Sequence, residues 1–268
     1  MHRAGPGRRV RIALLGGFRL LAGNDVLPVS GGSERLLGFV ALHRQAVGRL
    51  RVAETLWSEV SEHRAYAALR SALARLDRAS RQTLQVTASS LELTQGVAVD
   101  LRDARELAHR LLGPTPPAEA DLSAAATASL SLDLLPFWYD DWALLEAEDW
   151  HQLRLHALEA LVGDLTVARR YGDATTAAGA AIRADPLRES AQAALIRVHL
   201  AEGNQSEALR TFDRFSHLLQ ADLGLAPTPQ LHELVADLLQ ASHHRAGPGL
   251  SSDHAHPAHR PPDHPGAL

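Results

Sequence analysis

Residues 62–81 read EHRAYAALRSALARLDRASR, and this stretch decides the interpretation of the fold. At about 100° per residue its large apolar side chains fall on one side of a helix, and several arginines and a serine fall on the other. Arginine carries a planar, permanently charged donor fork that suits phosphate oxygens and the acceptor edge of guanine. The pattern favours a DNA recognition helix, although a solvated amphipathic helix explains this stretch alone equally well. The apolar positions are Tyr66, Leu69, Leu73 and Leu76, and the polar positions are Arg64, Ser71, Arg75 and Arg78.

Two further helices are predicted before this stretch. The first runs from Glu34 to about Arg44, and Ser33 is a plausible N-cap for it. The second covers residues 52–60 and ends at a brief break near Ser61. Two short helices with a tight break between them indicate a helix-turn-helix, in which the first helix braces the second and the second enters the major groove.

Short strands are predicted on both sides of these helices. Apolar runs separated by glycine turns indicate strands over residues 11–15, 18–22 and 26–29. After the helices, residues 84–94 alternate in period two around Ala88-Ser89-Ser90, which indicates a β-hairpin. Strands, three helices and then a hairpin are the order of a winged helix with an N-terminal sheet, and the hairpin would be the wing that touches DNA.

Three more residues near the predicted recognition helix are candidate DNA contacts. Gln82 and Thr83 are placed to meet phosphate, although polar residues at a helix end are more often simply solvated. Arg70 lies beside the predicted groove-facing side, where it either contacts phosphate or pairs with a neighbouring acid. The candidate DNA-binding residues are therefore Arg64, Arg70, Ser71, Arg75, Arg78, Gln82 and Thr83.

Composition and charge indicate a mainly helical, two-domain protein. The 268 residues are 46% hydrophobic but only 4% aromatic, so the cores must consist mostly of Ala and Leu, which favour helix. The absence of Cys excludes disulfides and thiolate metal sites. Residues 1–112 contain 17 Arg against 10 acidic residues, whereas residues 113–268 contain 10 Arg against 21. A basic front half and an acidic back half suit a nucleic-acid module joined to a protein-contact module.

The chain after the Pro-rich segment 113–117 predicts helices in pairs. That segment is the approximate boundary between a winged helix over residues 10–112 and an all-α domain over residues 118–241. Turns at Tyr171-Gly172-Asp173 and Glu202-Gly203-Asn204 are 31 positions apart, close to the period of tetratricopeptide repeats. Stacked helical hairpins commonly contact proteins, and a closed bundle without a partner is the alternative. The predicted helices cover residues 142–171, 174–184, 187–202, 205–222 and 229–241.

The two ends of the chain carry weaker signals. The N-terminus imitates a secretory signal, but Arg19 and two glycines interrupt its apolar run. No later stretch approaches the roughly 18 apolar residues that span a bilayer, so no membrane association is expected. Residues 242–268 are predicted to be disordered. The spacing of their histidines resembles no metal site, so neither a metal nor a cofactor is expected. Those histidines are at positions 243, 244, 254, 256, 259 and 264.

Motifs in both parts of the chain carry a family resemblance. They are LRSALARL within the predicted recognition helix, LLPFWYDDW at residues 134–142, DPLRES at 185–190, AEGNQSEAL at 201–209 and ADLGLAPTP at 221–229. In this order they resemble the Streptomyces antibiotic regulatory protein family. The resemblance covers about residues 10–240. It implies an OmpR-type winged helix followed by a bacterial transcriptional activation domain of tetratricopeptide-like helices.

The leading hypothesis from the sequence is therefore a cytoplasmic, nucleoid-associated transcriptional activator. The resemblance implies binding to direct repeats in double-stranded promoter DNA, recruitment of RNA polymerase holoenzyme, self-association as a dimer on DNA, and control of antibiotic or other secondary-metabolite genes. A protein-interaction adaptor with little affinity for DNA is the alternative. An enzyme is not expected, because the chain contains no Gly-rich phosphate loop, nucleophile elbow or metal-ligand spacing.

Overall fold

The computed structural model describes residues 10–246, with side chains as far as residue 239. The first part of the chain combines short strands with five helices. These elements are β1 (Val10–Ala13), β2 (Arg19–Ala22), β3 (Asp25–Leu27), α1 (Gly31–Leu42), β4 (Val47–Gly48), α2 (Arg49–Leu56), α3 (Glu62–Ala74), α4 (Arg78–Arg81), β5 (Leu84–Val86), β6 (Ser90–Leu93), β7 (Ala98–Val99) and α5 (Asp100–Leu111).

The second part of the chain is helical. A 3-10 turn over Glu119–Leu122 precedes six helices, of which the last five pack in sequence order. The helices are α6 (Ala124–Leu130), α7 (Asp141–Val167), α8 (Tyr171–Ala184), α9 (Glu189–Glu202), α10 (Gln205–Leu223) and α11 (Pro229–Ala246). The predicted fold class, a winged helix followed by tetratricopeptide-like helices, is confirmed.

Two small sheets flank the helices of the first part. The first has the order β3-β2-β1-β7, with β7 parallel to β1 and the other pairs antiparallel. The second has the order β4-β6-β5, so the predicted hairpin forms a wing with β4 as its third strand. Strands β4 and β7 were not predicted, because two residues are too few to show a period of two.

Helix α3 ends earlier than its sequence predicts. The amphipathic pattern suggested one helix as far as Arg81, but α3 stops at Ala74 and Arg78 belongs to the separate helix α4. The Asp77 carboxylate accepts a hydrogen bond of 2.7 Å from the backbone N–H of Ser80 and so caps the new helix. An Asp side chain that caps a new helix draws the backbone out of the preceding one. Here Asp77 caps α4, and α3 does not continue.

Ser33 does not cap α1 as predicted. The helix begins at Gly31 with Ser30 at the N-cap, so Ser33 lies within its first turn and is buried. Its hydroxyl donates a hydrogen bond of 2.8 Å to the backbone oxygen of Ala72 in α3. The residue therefore joins two helices instead of ending one.

Of the two turns predicted between the later helices, one lies where it was predicted and the other lies slightly earlier in the chain. Tyr171-Gly172-Asp173 is the first turn of α8, and the reversal before it takes place at Arg169, whose φ is 58°. The second predicted turn is confirmed, because Gly203 ends α9 in the left-handed region with φ of 88°. Glycine reaches that region without the steric cost that a Cβ brings.

The two parts of the chain share a continuous hydrophobic core. One cluster of buried side chains extends from Ile12 to Val198, and a second joins α9, α10 and α11. Backbone hydrogen bonds also cross between the parts, from Gly16 N–H to Asp133 O at 2.7 Å and from Leu135 N–H to Leu14 O at 3.0 Å. The segment before α7 is therefore built into the edge of the first part.

Aromatic residues close the contact between α1 and the start of α7. Trp138 stacks near Phe18 with ring centroids 6.1 Å apart, and Trp142 meets the Phe39 ring edge-on at 5.2 Å. A Cβ on Gly38 would lie 2.6 Å from the Trp138 ring, so only glycine permits this approach.

The C-terminal prediction is partly outside the described residues. Helix α11 continues to Ala246, five residues into the segment predicted to be disordered from Ser242. Residues 247–268 are not described, so the rest of that prediction lies outside the structure, as do residues 1–9.

Candidate nucleic-acid interface

Helix α3 is anchored along one side. Ala65, Leu69 and Ala72 are buried in the core, and Tyr66 and Leu73 are partly buried beside them. These side chains occupy the apolar side predicted from the sequence. The anchored side leaves the opposite side of α3 open to solvent.

The open side of α3 carries arginines at both edges. At 3.6 residues per turn, Arg64 and Arg75 lie along one edge and Arg70 along the other. Ser71 is exposed and lies within about 40° of Arg64 and Arg75 around the helix axis, and Ala67 and Ala74 lie between these residues and Arg70. This spacing keeps the predicted arrangement, in which Arg64, Ser71 and Arg75 face one way and Arg70 flanks them.

The arginines near this face are exposed and chemically available. The guanidinium groups of these residues, Arg64, Arg70, Arg75 and Arg78, form no ion pair or hydrogen bond with any other side chain or backbone group among the described residues. The alternative in which Arg70 pairs with a neighbouring acid therefore does not occur within residues 10–246. Other arginines do pair with carboxylates, among them Arg35 and Arg105 in the first part of the chain and Arg154 and Arg188 in the second.

Helix α4 extends the face beyond α3. Arg78 and Gln82 are exposed at its two ends, which keeps both as candidate contacts. Asp77 lies next to Arg78, and its hydrogen bonds from Ser80 hold the pKa of the Asp77 carboxyl below its usual range. The Asp77 carboxylate is therefore charged at neutral pH and remains available to cap α4.

Thr83 is the one predicted DNA contact that the structure does not support, because its side chain is buried. Its side chain is 0% exposed, and its hydroxyl donates a hydrogen bond of 2.6 Å to the backbone oxygen of Ser80. A buried hydroxyl that already satisfies an orphan carbonyl at a helix end is not available to phosphate. The position after a helix looks exposed in sequence, but here the chain turns inward into β5.

Two arginines beside the wing are further candidate DNA contacts, and the sequence analysis did not select them. Arg49 begins α2, and its guanidinium donates a hydrogen bond of 3.3 Å to the Thr87 carbonyl at the tip of the β5–β6 hairpin. The Arg49 N–H also donates to Ser89 O at 2.8 Å, and Arg51 is exposed two positions further along the helix. Their signal in the sequence was the Arg-Leu-Arg start of a helix that precedes a recognition helix.

Other kinds of site are not evident in the described part of the chain. Residues 10–246 contain no group of three or more His, Asp or Glu side chains placed to hold a metal ion. Within the same residues, no helix is both long and apolar enough to cross a membrane.

Comparisons with known proteins show what this chain is similar to. Residues 117–239 match the model described as "Bacterial transcriptional activator domain". The chain is 28% identical over 262 residues to "Regulatory protein AfsR" of Streptomyces griseus, and 27% identical over 251 residues to the protein of that name from Streptomyces coelicolor. These matches support the resemblance of this chain to the Streptomyces antibiotic regulatory protein family. The alignments include 89% and 87% of the chain, but it spans only about a quarter of the length of these curated relatives.

A solved structure supports the fold expected of a Streptomyces antibiotic regulatory protein. Mycobacterium tuberculosis EmbR, determined in complex with a low affinity phosphopeptide, superposes with a TM-score of 0.66 at 21% sequence identity. The match covers 87% of this chain and 65% of the EmbR chain. The family is one of transcriptional activators, so the resemblance predicted from the sequence motifs is confirmed at that level.

Proposed function

We propose that this protein binds promoter DNA sequence-specifically, at direct repeats, and activates transcription by recruiting RNA polymerase holoenzyme. The observation that carries the proposal is the open side of α3 and α4, where Arg64, Arg70, Arg75 and Arg78 are exposed and form no ion pair with the described side chains. Arginines clustered on one exposed side form a positively charged patch, which is the electrostatic feature expected of a nucleic-acid-binding surface. The match of residues 117–239 to a bacterial transcriptional activator domain supports the same interpretation.

Helix α3 would enter the major groove with its open side toward the bases. Arg64 and Arg75 would meet guanine edges or phosphate from one edge of the helix, and Arg70 would do so from the other. The small side chains between them allow the helix backbone to approach closely, so arginine supplies most of the affinity. Arg49 and Arg51 would hold phosphates beside the wing, because the Arg49 hydrogen bond to Thr87 keeps the wing against α2.

The remaining parts of the proposal follow from the family. The controlled genes would be those of antibiotic or other secondary-metabolite biosynthesis, and two copies would associate on adjacent repeats. The protein would act at the nucleoid in the cytoplasm, and it would act by binding and not by catalysis.

Mobility-shift titration of the Arg75→Ala variant tests the DNA-binding proposal. Fragments selected from the host genome by the wild-type protein supply the specific DNA, and the scrambled sequence supplies the comparison. If Arg75 reads a base, the variant loses about 1–3 kcal/mol for specific DNA and relaxes preference at one position. If Arg75 contacts phosphate, specific and scrambled DNA weaken alike.

A matched control separates local contact from general charge. Arg197 in α9 is exposed and has no partner within residues 10–246, so Arg197→Ala removes the same charge far from α3. Binding of both variants like the wild type would remove Arg75 from the interface. Wild-type protein that enriches no common sequence and has little affinity for any DNA would support the adaptor alternative instead.

A further inference from the structure

Exposed apolar side chains are concentrated at the start of α7 and in the segment before it. Five of the twelve large hydrophobic residues that are exposed among the described residues lie between positions 132 and 145. Three of them are mostly in solvent, since Phe137 is 76%, Tyr139 79% and Leu145 70% exposed. Contiguous apolar surface of this kind on a folded protein commonly marks an interaction site. We call the surface formed by Phe137, Tyr139, Asp141, Leu144, Leu145, Glu148 and Asp149 the acidic apolar face.

The same surface is strongly acidic. Residues 132–152 contain six Asp or Glu residues and no Arg or Lys. Two of the six are neutralised by arginines from the first part of the chain, through the pairs Arg35–Asp140 and Arg105–Glu146. Asp141, Glu148 and Asp149 stay exposed and have no cationic partner among residues 10–246. They share one side of α7 with Leu144 and Leu145, because positions three and four apart lie together on a helix.

Two depressions lie next to Tyr139, so the acidic apolar face is concave in places. One, of about 610 Å³, lies between Phe137 and the first turn of α1, where Gly31 and Glu34 line it. The other, of about 380 Å³, lies beside α7 and is lined by Leu144, Glu148 and His151 among others. Depressions of this size accept large side chains from a partner, and aromatic residues at their rims are frequent binding anchors.

Charge and shape together restrict what can bind here. The exposed carboxylates repel nucleic acid and anionic lipid surfaces. A second copy of this chain is a poor match, because the apolar side of its arginine-bearing helix α3 is already buried. A complementary partner must present apolar side chains and Arg or Lys within one short segment, as a basic amphipathic helix does.

We propose that the acidic apolar face binds a basic amphipathic helix of RNA polymerase holoenzyme. This proposal rests on the proposed function, and it names the surface through which recruitment takes place. The aromatic side chains and Leu145 bury the apolar side of the partner helix, and the carboxylates of α7 pair with its Arg or Lys. The face belongs to the segment built into the first part of the chain, so a polymerase held there has a defined position relative to α3.

Binding of purified holoenzyme to two double variants tests the proposal. Phe137→Ser with Leu145→Ser removes apolar surface, and Glu148→Arg with Asp149→Arg reverses the charge. All four side chains are exposed, so both variants keep the hydrophobic core, which circular dichroism checks. The Kd for holoenzyme is expected to rise about tenfold or more in each, as for residues at the centre of an interface. The Kd for promoter DNA should change by less than about twofold, since none of the four lies on α3, α4 or the wing.

Two controls match the chemistry of these changes. Val167→Ser removes an apolar side chain that is 86% exposed at the other end of α7, and Asp213→Arg reverses an exposed charge on α10. Both should bind holoenzyme like the wild type. Wild-type affinity in both double variants would overturn the proposal, and so would equal losses in the controls.

A photo-crosslinking residue at position 145 identifies the occupant. Crosslinking to a basic helical segment of a polymerase subunit supports the proposal, whereas crosslinking to a second copy of this chain or to an acidic segment overturns it. The two proposals fail differently. Wild-type protein that binds holoenzyme but not promoter DNA contradicts the DNA-binding function alone, and wild-type protein that binds DNA but not holoenzyme contradicts the assignment of this face.

Discussion

The Ser33 hydroxyl donates a buried hydrogen bond of 2.8 Å to the carbonyl oxygen of Ala72, and so joins α1 to the last turn of α3. The final carbonyls of a helix have no partner within it, and the Ala72 oxygen accepts no backbone hydrogen bond from the residues that follow α3. On another side, α1 contacts the activation domain through Gly38 and Phe39. Helix α1 therefore contacts both the candidate recognition helix α3 and the activation domain.

Replacing Ser33 by Ala should destabilise the protein through this carbonyl. The substitution leaves the Ala72 oxygen buried without a donor, which costs about 1–3 kcal/mol. Urea denaturation of the purified variant measures the change in free energy of unfolding. Ser58→Ala, at an exposed position, is the control and should stay within about 0.5 kcal/mol of the wild type. Equal stabilities of the two variants would contradict the role given to Ser33.

Replacing Gly38 by Ala should disturb the junction between the two parts of the chain. The new methyl group would lie 2.6 Å from the rigid Trp138 ring, and overpacking of this kind costs about 1–3 kcal/mol. Gly32→Ala in the same helix has nothing within 4 Å of the new atom and should be neutral or stabilising by up to about 1 kcal/mol. Thermal unfolding of both variants makes the comparison. The prediction fails if Gly38→Ala is as stable as Gly32→Ala.

The Arg110–Asp121 pair should make stability depend on pH in acid. Hydrogen bonds from Arg110 hold the pKa of the Asp121 carboxyl below its usual value of 3.8. A lowered pKa in the folded state contributes stability above the unfolded value, and this contribution is lost as the pH falls through the folded value. Asp121→Asn should therefore be less stable than the wild type at pH 7. The difference should shrink below pH 3.8, as measured by urea denaturation at several pH values. A difference that stays constant down to pH 3 would show that the pair has no such linkage.

The affinity for promoter DNA should fall steeply with salt. If about five arginines contact phosphates, the slope of log affinity against log salt concentration is about −4 to −5. Arg70→Ala should reduce the magnitude of the slope by about 0.9 if Arg70 contacts phosphate. Fluorescence anisotropy with a labelled promoter fragment over a range of salt concentrations measures the slope. Arg197→Ala should leave it unchanged, and a wild-type slope near zero would contradict phosphate binding by this face.

The sequence predicted the long helices well, because the apolar pattern repeats over several turns in each of them. The 27 residues of α7 and the helices after it repeat apolar residues over several turns, so their bounds follow from the sequence to within a few residues. The wing was also predictable, because the alternation on either side of Ala88 is specific to a hairpin. Two-residue strands such as β4 have no period to detect.

The candidate site was predictable in type but not in detail. The amphipathic pattern indicated which side of α3 is buried, since that depends on spacing alone. The end of α3 at Ala74 and the burial of Thr83 depend on competition between local hydrogen bonds and the path of the chain. Helix propensities are averages over many local environments, so they predict neither where α3 ends nor that Thr83 is buried.

The sequence by itself determined the order of most elements, the apolar side of each long helix, the basic first half and the family resemblance. These properties are encoded locally, in residue spacing and composition. Only the tertiary structure decided that the Ser33 hydroxyl bonds the Ala72 carbonyl and that Gly38 admits the Trp138 ring. It also decided that four arginines near α3 form no ion pair within the part of the chain that the structure describes. Each of these depends on residues that are distant in the chain, and close packing alone determines which of them meet.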